Sequence, residues 1–192
     1  AFAMRAGSEC SRLRLFGGET SDGRQLGFII RTDTTNFKEI ESSDLNRDTY
    51  EECVKQIIQD CDSALVYLPS AYRDQISTQK GVNGSIGLHR LDGISVLTIK
   101  ALTYLQWASP AFNKHGDTSR WGKAAEYAAE AIKLKLAVDG PLGFVPNATF
   151  NWNDPNSAEV IFSSVDTKGN QYERSFYPAG QGGLAYMAPS QE

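Results

Sequence analysis

The chain has 192 residues, a length that suits one domain with a sizeable core. Hydrophobic residues make up 41% and charged residues 22%, as in ordinary globular proteins, and the net charge of −4 argues against a nucleic-acid partner. No run of 18 apolar residues is present to span a bilayer, and because Arg5 interrupts the first apolar stretch we do not expect that stretch to be a signal peptide.

The first helix is predicted from apolar residues that recur at helical spacing between Phe2 and Phe16, with Gly17-Gly18 in the place of a C-cap. Because no N-cap precedes Phe2, we expect the chain to begin inside a helix, as a fragment of a longer protein would. Residues 17–46 are rich in Gly, Thr, Asp and Ser and predict a loop with one short strand at 26–30.

The second helix has the clearest start signal in the sequence. Thr49 and Glu52 have the spacing of a capping box, and an apolar stripe then runs to Leu68 before Pro69 ends the helix. Asp60 and Asp62 fall off the stripe, and residues two apart on a helix do not face each other. We therefore expect them on a solvated face rather than as a catalytic pair.

A third helix is predicted over about 92–108, with Asp92 as its N-cap, and a fourth follows from near Trp121 to Asp139. The fourth carries a stripe made largely of alanines, which lets a neighbouring helix approach closely. The residues expected in the buried faces of these two helices are Ile94, Leu97, Ala101, Leu102, Leu105, Trp107, Ala108, Trp121, Ala124, Ala125, Ala128, Ala131 and Ile132.

After Pro141 the composition changes to Asn, Gly, Pro and aromatic residues, with one β-rich run at 159–163 that predicts a strand. The four predicted helices look like two successive helix–turn–helix pairs, and the second pair has tetratricopeptide-like spacing. A generic helical bundle stays open as the alternative, because the alanine stripe would also permit it. The predicted fold is mainly α, with paired helices and loop insertions in residues 1–137, a loop-rich part in residues 138–192, and a few short strands.

Three cysteines are too few for a disulfide scaffold. Cys53 and Cys61 lie eight residues apart in a helix, a rise of about 12 Å that no disulfide spans, whereas Cys10 could pair with either of them. Free thiols packed as small apolar groups are the favoured interpretation. With only His89 and His115 available, no metal site is expected, and no cofactor is expected either.

Several segments resemble the SusD/RagB-like family, the nutrient-binding surface lipoproteins of Bacteroidetes. The segments that carry the resemblance, in chain order, are Leu15-Phe16-Gly17-Gly18, Arg47-Asp48-Thr49-Tyr50-Glu51-Glu52-Cys53, Asp60-Cys61-Asp62-Ser63-Ala64, Leu68-Pro69, Ala108-Ser109-Pro110-Ala111-Phe112-Asn113, Trp121-x-x-Ala124-Ala125, Asn156-Ser157-Ala158-Glu159-Val160-Ile161-Phe162, Tyr177-Pro178 and Pro189-Ser190-Gln191. The chain departs from the family at Glu19-Thr20, where a Pro is usual, and at the helix start around His89-Arg90-Leu91-Asp92. Family members are more than twice as long and begin with a lipidated Cys, so the chain resembles the middle of one, a partial SusD-like domain over residues 1–192.

The resemblance implies a non-catalytic protein on the extracellular face of the outer membrane. Such a protein covers a TonB-dependent (SusC-like) transporter and passes glycans or peptides to it, held to the membrane by a lipid anchor that this chain does not include. The helices would then pack on the transporter and the loops would hold the ligand.

Sugar rings stack on Trp or Tyr, and their hydroxyls need polar partners. Trp152 with Asn151, Asn153 and Asp154 has that composition and is the first candidate for a ligand platform. A second set comprises Tyr172, Arg174 and Tyr177. For Trp152 a role as a cover of the helical core stays open, and for the tyrosines packing is the stronger alternative.

A SusD-like protein could also bind a peptide in place of a glycan. Two other classes of function stay open as well, an adaptor and a hydrolase. A tetratricopeptide-type adaptor would bind a peptide in its helical groove. A glycoside hydrolase would need a carboxylate pair, for which Asp154 and Glu159 are the candidates. Their five-residue spacing in a strand-like segment places them on opposite faces, which disfavours it.

Overall fold

A computed structural model describes residues 1–32, 46–72, 90–139 and 160–162. Over these ranges the protein is mainly α, as the sequence predicts. Its helices are α1 (Phe2–Phe16), α2 (Tyr50–Tyr67), α3 (Gly93–Ala108) and α4 (Ser119–Asp139). Strands β1 (Gly18–Glu19) and β2 (Gln25–Leu26) pair antiparallel, with Gly18 opposite Leu26 and Glu19 opposite Gln25.

Helix α1 ends at Gly17, the C-cap that the sequence predicts. Its φ of −63° is one that any residue adopts, and its N–H donates to the carbonyl of Leu13 at 2.9 Å. A Cβ on Gly17 would collide with that carbonyl oxygen and would also lie 2.7 Å from Cε2 of Tyr50. The glycine therefore permits the close approach of the α1 backbone and of Tyr50, and not a left-handed turn.

The strand predicted at 26–30 is wrong except at Leu26. Beyond Leu26 the chain bonds instead to the residues before α2: Gly27 donates to the carbonyl of Asp48 at 2.8 Å, and Asp48 donates to that of Phe28 at 3.1 Å. Arg47 reinforces this contact. Its guanidinium donates to the carbonyls of Gly27 (2.6 Å), Leu26 (3.3 Å) and Phe16, so it links the end of α1 to the segment that precedes α2.

The capping box at the start of α2 is confirmed. The Thr49 hydroxyl accepts from the Glu52 amide at 3.2 Å, and the Glu52 carboxylate accepts from the Thr49 amide at 2.9 Å. The solvated position predicted for Asp60 is wrong, because Asp60 is only 2% exposed. Its carboxylate faces α1 and accepts two hydrogen bonds from the Arg5 guanidinium.

Helix α3 begins at the predicted cap, where Oδ1 of Asp92 accepts from the Ser95 amide at 2.8 Å. After α3, Asn113 closes the turn that leads into α4. Its side chain donates to the carbonyl of Asp117 at 2.9 Å and accepts from the Asp117 amide at 2.8 Å. The turn is therefore held by side-chain to backbone bonds that fix how α4 leaves α3.

The core lies between α1, α2 and α3, which all pack against one another. Tyr50 is 1% exposed and stacks on Phe112, with ring centroids 4.2 Å apart. Helix α4 packs chiefly against α3. Some residues predicted to be buried between α3 and α4 are instead exposed. Leu102, Leu105, Trp121 and Ile132 are about half exposed, and Ala125 is exposed as well.

Residues 160–162 are the described part of the strand predicted at 159–163, and they are not in a strand. Ile161 and Phe162 instead line hollows formed by α1 and α3. High β-propensity forms a strand only where a neighbouring strand supplies hydrogen-bond partners, and in the described ranges β1 and β2 pair with each other. None of the described helices is both long enough and apolar enough to cross a membrane.

Candidate functional site

The residues predicted to hold a ligand all lie outside the described ranges. These are Asn151, Trp152, Asn153, Asp154, Tyr172, Arg174 and Tyr177. Two of the concave surfaces that the described helices present differ clearly in chemistry, one between α2 and α3 and one between α3 and α4.

The α2–α3 cleft has a volume of about 380 Å³ and combines aromatic and polar groups. Its lining residues are Val54, Lys55, Ile58, Gln59, Asp62, Ser63, Tyr104 and Trp107. Lys55, Gln59 and Asp62 are exposed, and Tyr104 and Trp107 are half-buried. Aromatic faces beside amide, carboxylate and hydroxyl groups are the combination that binds a sugar ring.

The aromatic side of this cleft is held in place by cations. Tyr104 lies 5.9 Å from Trp107 and 5.7 Å from Tyr127, measured between ring centroids. The Arg120 guanidinium lies over the Trp107 ring at 4.0 Å, and Lys100 Nζ lies over the Tyr127 ring at 4.0 Å. Such cation–π contacts order the rings, so the cleft presents a fixed aromatic surface.

Lys100 connects three helices at the base of this surface. It is 5% exposed, and its Nζ donates to Oδ1 of Asp62 at 2.7 Å while facing Tyr127. Burial lowers the pKa of the ammonium, but the hydrogen bond and charge of Asp62 outweigh it and leave the pKa raised. Lys100 therefore stays a cation that joins α2, α3 and α4, and does not act as a neutral amine base.

Sequence reasoning missed this cleft because it assigned Trp107 to the core. Trp107 does pack against the core with part of its surface, and the rest faces the cleft. Tyr104 and Trp107 lie three residues apart on α3, and Gln59 and Ser63 lie four apart on α2. Those spacings place each pair on one helix face and are the signal that could have found it.

The second surface, the α3–α4 groove, has a volume of about 610 Å³ and is almost wholly apolar. Leu102 and Leu105 of α3 face Trp121, Ala128 and Ile132 of α4 across it. Among the described residues that line this groove, Lys135 is the one with a charged side chain. This chemistry suits apolar side chains and not sugar hydroxyls.

No protein-family model, curated protein or solved structure matches this chain.

The buried thiols are poor nucleophiles. Burial raises the pKa of Cys53 to about 11 and that of Cys61 to about 12, so both stay protonated at neutral pH. The cysteines are free, as the favoured interpretation expected. In the described ranges no three His, Cys, Asp or Glu side chains come together in a metal-binding arrangement.

Glu9 is a buried carboxylate with a perturbed pKa, which makes it a candidate functional group. It is 5% exposed, and its Oε2 has no hydrogen-bond partner within the described part of the chain. Burial raises its pKa first, and the nearby charge of Asp60 raises it further, against the attraction of Arg5 and Arg12. Glu9 lines neither the α2–α3 cleft nor the α3–α4 groove. We therefore interpret it as a buried charge that destabilises the packing of α1 on α2.

This interpretation predicts the effect of Glu9→Gln on stability. The pKa of Glu9 is higher in the folded chain than in the unfolded chain, so the folded chain binds protons more readily at this site. The stability that protonated Glu9 contributes is therefore fully present below about pH 4.5, and it is lost as the pH rises through the folded pKa. At pH 7 the variant should be about 1 kcal/mol more stable than the parent, because a neutral amide costs less to bury than a carboxylate. Urea unfolding at pH 4 and pH 7 measures this, and a less stable variant at pH 7 would contradict it.

Proposed function

We propose that the chain is part of a non-catalytic, SusD/RagB-like glycan-binding protein. In this proposal it is lipid-anchored at the extracellular face of the outer membrane and works with a TonB-dependent, SusC-like transporter. The basis is the order of family-like segments along the sequence, which reaches from Leu15 to Gln191.

One observation carries the proposal: family-like residues that are distant in sequence contact each other directly. Arg47 donates to the carbonyl of Phe16, and Gly17 gives room to Tyr50. Tyr50 in turn stacks on Phe112, which lies 62 positions further along the chain. A shared scaffold would bring these segments together at one junction of α1, α2 and the turn after α3, so their convergence there supports the proposal.

The helix packing supports a tetratricopeptide-like arrangement in the same way. Each helix packs on the next in chain order, α1 on α2, α2 on α3 and α3 on α4. Stacked helical hairpins have this pattern, because each pair buries its apolar face only against a neighbour. We propose that the helices form the platform and that the loops carry the ligand residues.

The ligand set of this proposal is Asn151, Trp152, Asn153 and Asp154, with Tyr172, Arg174 and Tyr177 as a second group. Within the described ranges some residues that carry the family resemblance serve packing, as Arg47 and Phe112 show, whereas Asp62 and Ser63 line the α2–α3 cleft. In this proposal the ligand residues lie in the loops, and the Asn-Trp-Asn-Asp composition favours a glycan ligand.

Replacing Trp152 with alanine should weaken glycan binding about 30-fold with little change in melting temperature, because a stacked ring contributes about 2 kcal/mol to binding. Affinity gel electrophoresis against soluble starch, xylan and a host mucin glycan measures the binding. Tyr67→Ala is the matched control, since Tyr67 is an aromatic residue that is 80% exposed on α2, and it should bind like the parent.

Two results would overturn the proposal, and a third would reassign Trp152. Release of reducing ends from any of these polysaccharides would show a hydrolase, with Asp154 and Glu159 as the first residues to replace. Binding of peptides from a protein digest, with no binding to any glycan, would show a peptide carrier instead. A Trp152→Ala variant that loses stability but not binding would assign Trp152 to the core.

One observation favours the adaptor as second candidate, namely the open and apolar α3–α4 groove. An amphipathic helix of a partner could lay its apolar face there. The occupant of this groove therefore decides between the two classes.

A further inference from the structure

The α2 side of the α2–α3 cleft presents polar groups that still have hydrogen-bonding capacity. Gln59 is exposed, and its side-chain amide has no hydrogen-bond partner in the described part of the chain. The Ser63 hydroxyl donates to the backbone carbonyl of Gln59 at 2.9 Å, which leaves the hydroxyl oxygen able to accept. Asp62 uses Oδ1 for Lys100, so its second carboxylate oxygen can accept as well. Donors and acceptors side by side match ligand hydroxyl groups, which do both.

The α3 side of the cleft supplies an apolar surface for one flat ring. Tyr104 and Trp107 are half-buried there, and Val54 and Ile58 of α2 add aliphatic groups beside them. The Arg120 guanidinium lies over one face of the Trp107 ring at 4.0 Å, so that face is not open to a ligand. A sugar ring is apolar on its C–H face and polar at its rim, and it therefore needs one aromatic surface with polar groups beside it.

Both charged side chains that line the cleft are already paired. Lys55 Nζ lies 2.7 Å from a carboxylate oxygen of Glu51, and Asp62 is paired with the buried ammonium of Lys100 at 2.7 Å. A charged ligand would compete with these pairs, whereas a neutral ligand leaves them intact. The charge pattern therefore favours a neutral sugar over a uronic acid or an amine.

The size of the cleft limits how much of a sugar it can hold. Its volume of about 380 Å³ is near the lower end of the range of about 300–1,000 Å³ for small-molecule sites. We propose that the α2–α3 cleft is a second carbohydrate site, which binds one ring of a neutral sugar between Gln59 and the aromatic pair Tyr104 and Trp107. This goes beyond the proposed function, because the cleft shares no residue with the loop set around Trp152 and does not depend on the SusD-like assignment.

Fluorine NMR of the full chain labelled with fluorotryptophan tests the site. The three tryptophans report on different places: Trp107 on the cleft, Trp121 on the α3–α4 groove and Trp152 on the loop set. The variants Trp121→Phe and Trp152→Phe assign the signals. The probes are maltose, cellobiose, lactose and diacetylchitobiose. We expect at least one of these neutral disaccharides to shift the Trp107 signal with a dissociation constant of about 1 mM, the affinity that ordinary ligand efficiency gives a single bound ring.

A change at Gln59 tests the polar side of the cleft without disturbing the fold. Gln59→Ala should weaken the binding that shifts Trp107 by about 5-fold, because the hydrogen bonds of the amide are lost. Gln106→Ala is the matched control, since Gln106 is on α3 and does not line the cleft, and it should change the binding by about 2-fold or less. Circular dichroism melting checks that both variants are folded.

The same spectra separate the cleft from the loop site of the proposed function. A Trp152 signal that shifts while the Trp107 signal does not would refute the cleft and leave the proposed function standing. A Trp107 signal that shifts while the Trp152 signal does not would support the cleft and count against the loop set.

Other results would also overturn the cleft as a neutral-sugar site. One is that none of the four disaccharides shifts the Trp107 signal at about 20 mM, well above the expected dissociation constant. Another is a shift with tryptic peptides of casein and not with the sugars, which would show a peptide site. Tighter binding of digalacturonic acid than of every neutral disaccharide would show an acidic ligand. Equal binding by Gln59→Ala and Gln106→Ala would remove Gln59 from the site and refute the proposed arrangement.

Discussion

Replacing Tyr50 with alanine is expected to lower the free energy of unfolding by about 3–5 kcal/mol, the range found for truncating large buried side chains. Tyr50 is 1% exposed, stacks on Phe112 and fills the space that Gly17 leaves open. Its loss would open a cavity where α1, α2 and the turn after α3 meet. Urea unfolding followed by circular dichroism measures the change.

Tyr50→Phe is the matched control, because it keeps the ring and removes only the hydroxyl. That hydroxyl makes no hydrogen bond within the described ranges, and burial raises its pKa, so it stays neutral. Removing an unsatisfied buried hydroxyl should leave stability unchanged or raise it by up to about 1 kcal/mol. If Tyr50→Phe were as damaging as Tyr50→Ala, the hydroxyl and not the ring would hold this junction.

The helices could be predicted because their signals are local. Thr49 and Glu52 lie three residues apart, and Asp92 lies three before Ser95, so each cap is visible in a short window of sequence. Gly17 was placed correctly at the end of α1, but the sequence does not reveal that Tyr50, 33 positions away, is one of the groups that leave no room for a Cβ there.

The errors in the sequence predictions all concern contacts between distant segments. Asp60 was expected in solvent because its partner Arg5 lies 55 positions away, on another helix. Leu105 and Trp121 were expected to be buried, and the periodicity that predicts an apolar face cannot say which segment covers it. Local spacing could have marked each side of the α2–α3 cleft, but it cannot show that the two sides meet, since Gln59 and Tyr104 lie 45 positions apart.

The candidate ligand residues were predicted from composition around Trp152, a signal that neither requires nor reveals a contact. Local composition shows that side chains able to bind a sugar are present, but binding also requires that these side chains lie close together in the right orientation. This is why the proposed function rests on the contact network of Arg47, Tyr50 and Phe112, and why Trp152 is tested by binding.

Replacing Arg5 with leucine should lower the free energy of unfolding by about 3 kcal/mol, because it leaves the carboxylate of Asp60 buried without its cation. Asp60 is 2% exposed, and the hydrogen bond from Gln56 at 3.2 Å is the contact that would remain. Glu9, which is also buried, adds a second negative charge nearby and makes the loss of Arg5 worse. Urea unfolding at pH 7 measures the effect.

A double-variant cycle separates the charge from the packing. Asp60→Leu alone leaves the Arg5 guanidinium without its carboxylate partner, but Arg5 is 31% exposed and can reach water. This variant should therefore lose less free energy of unfolding than Arg5→Leu. The Arg5→Leu/Asp60→Leu protein has lost both charges of the pair, and a contact between two leucines takes the place of the ion pair. Most of the stability lost in the single variants should therefore return. A double variant as unstable as the sum of its singles would show that Arg5 and Asp60 do not act as a pair, and α1 would then be held on α2 by its apolar residues alone.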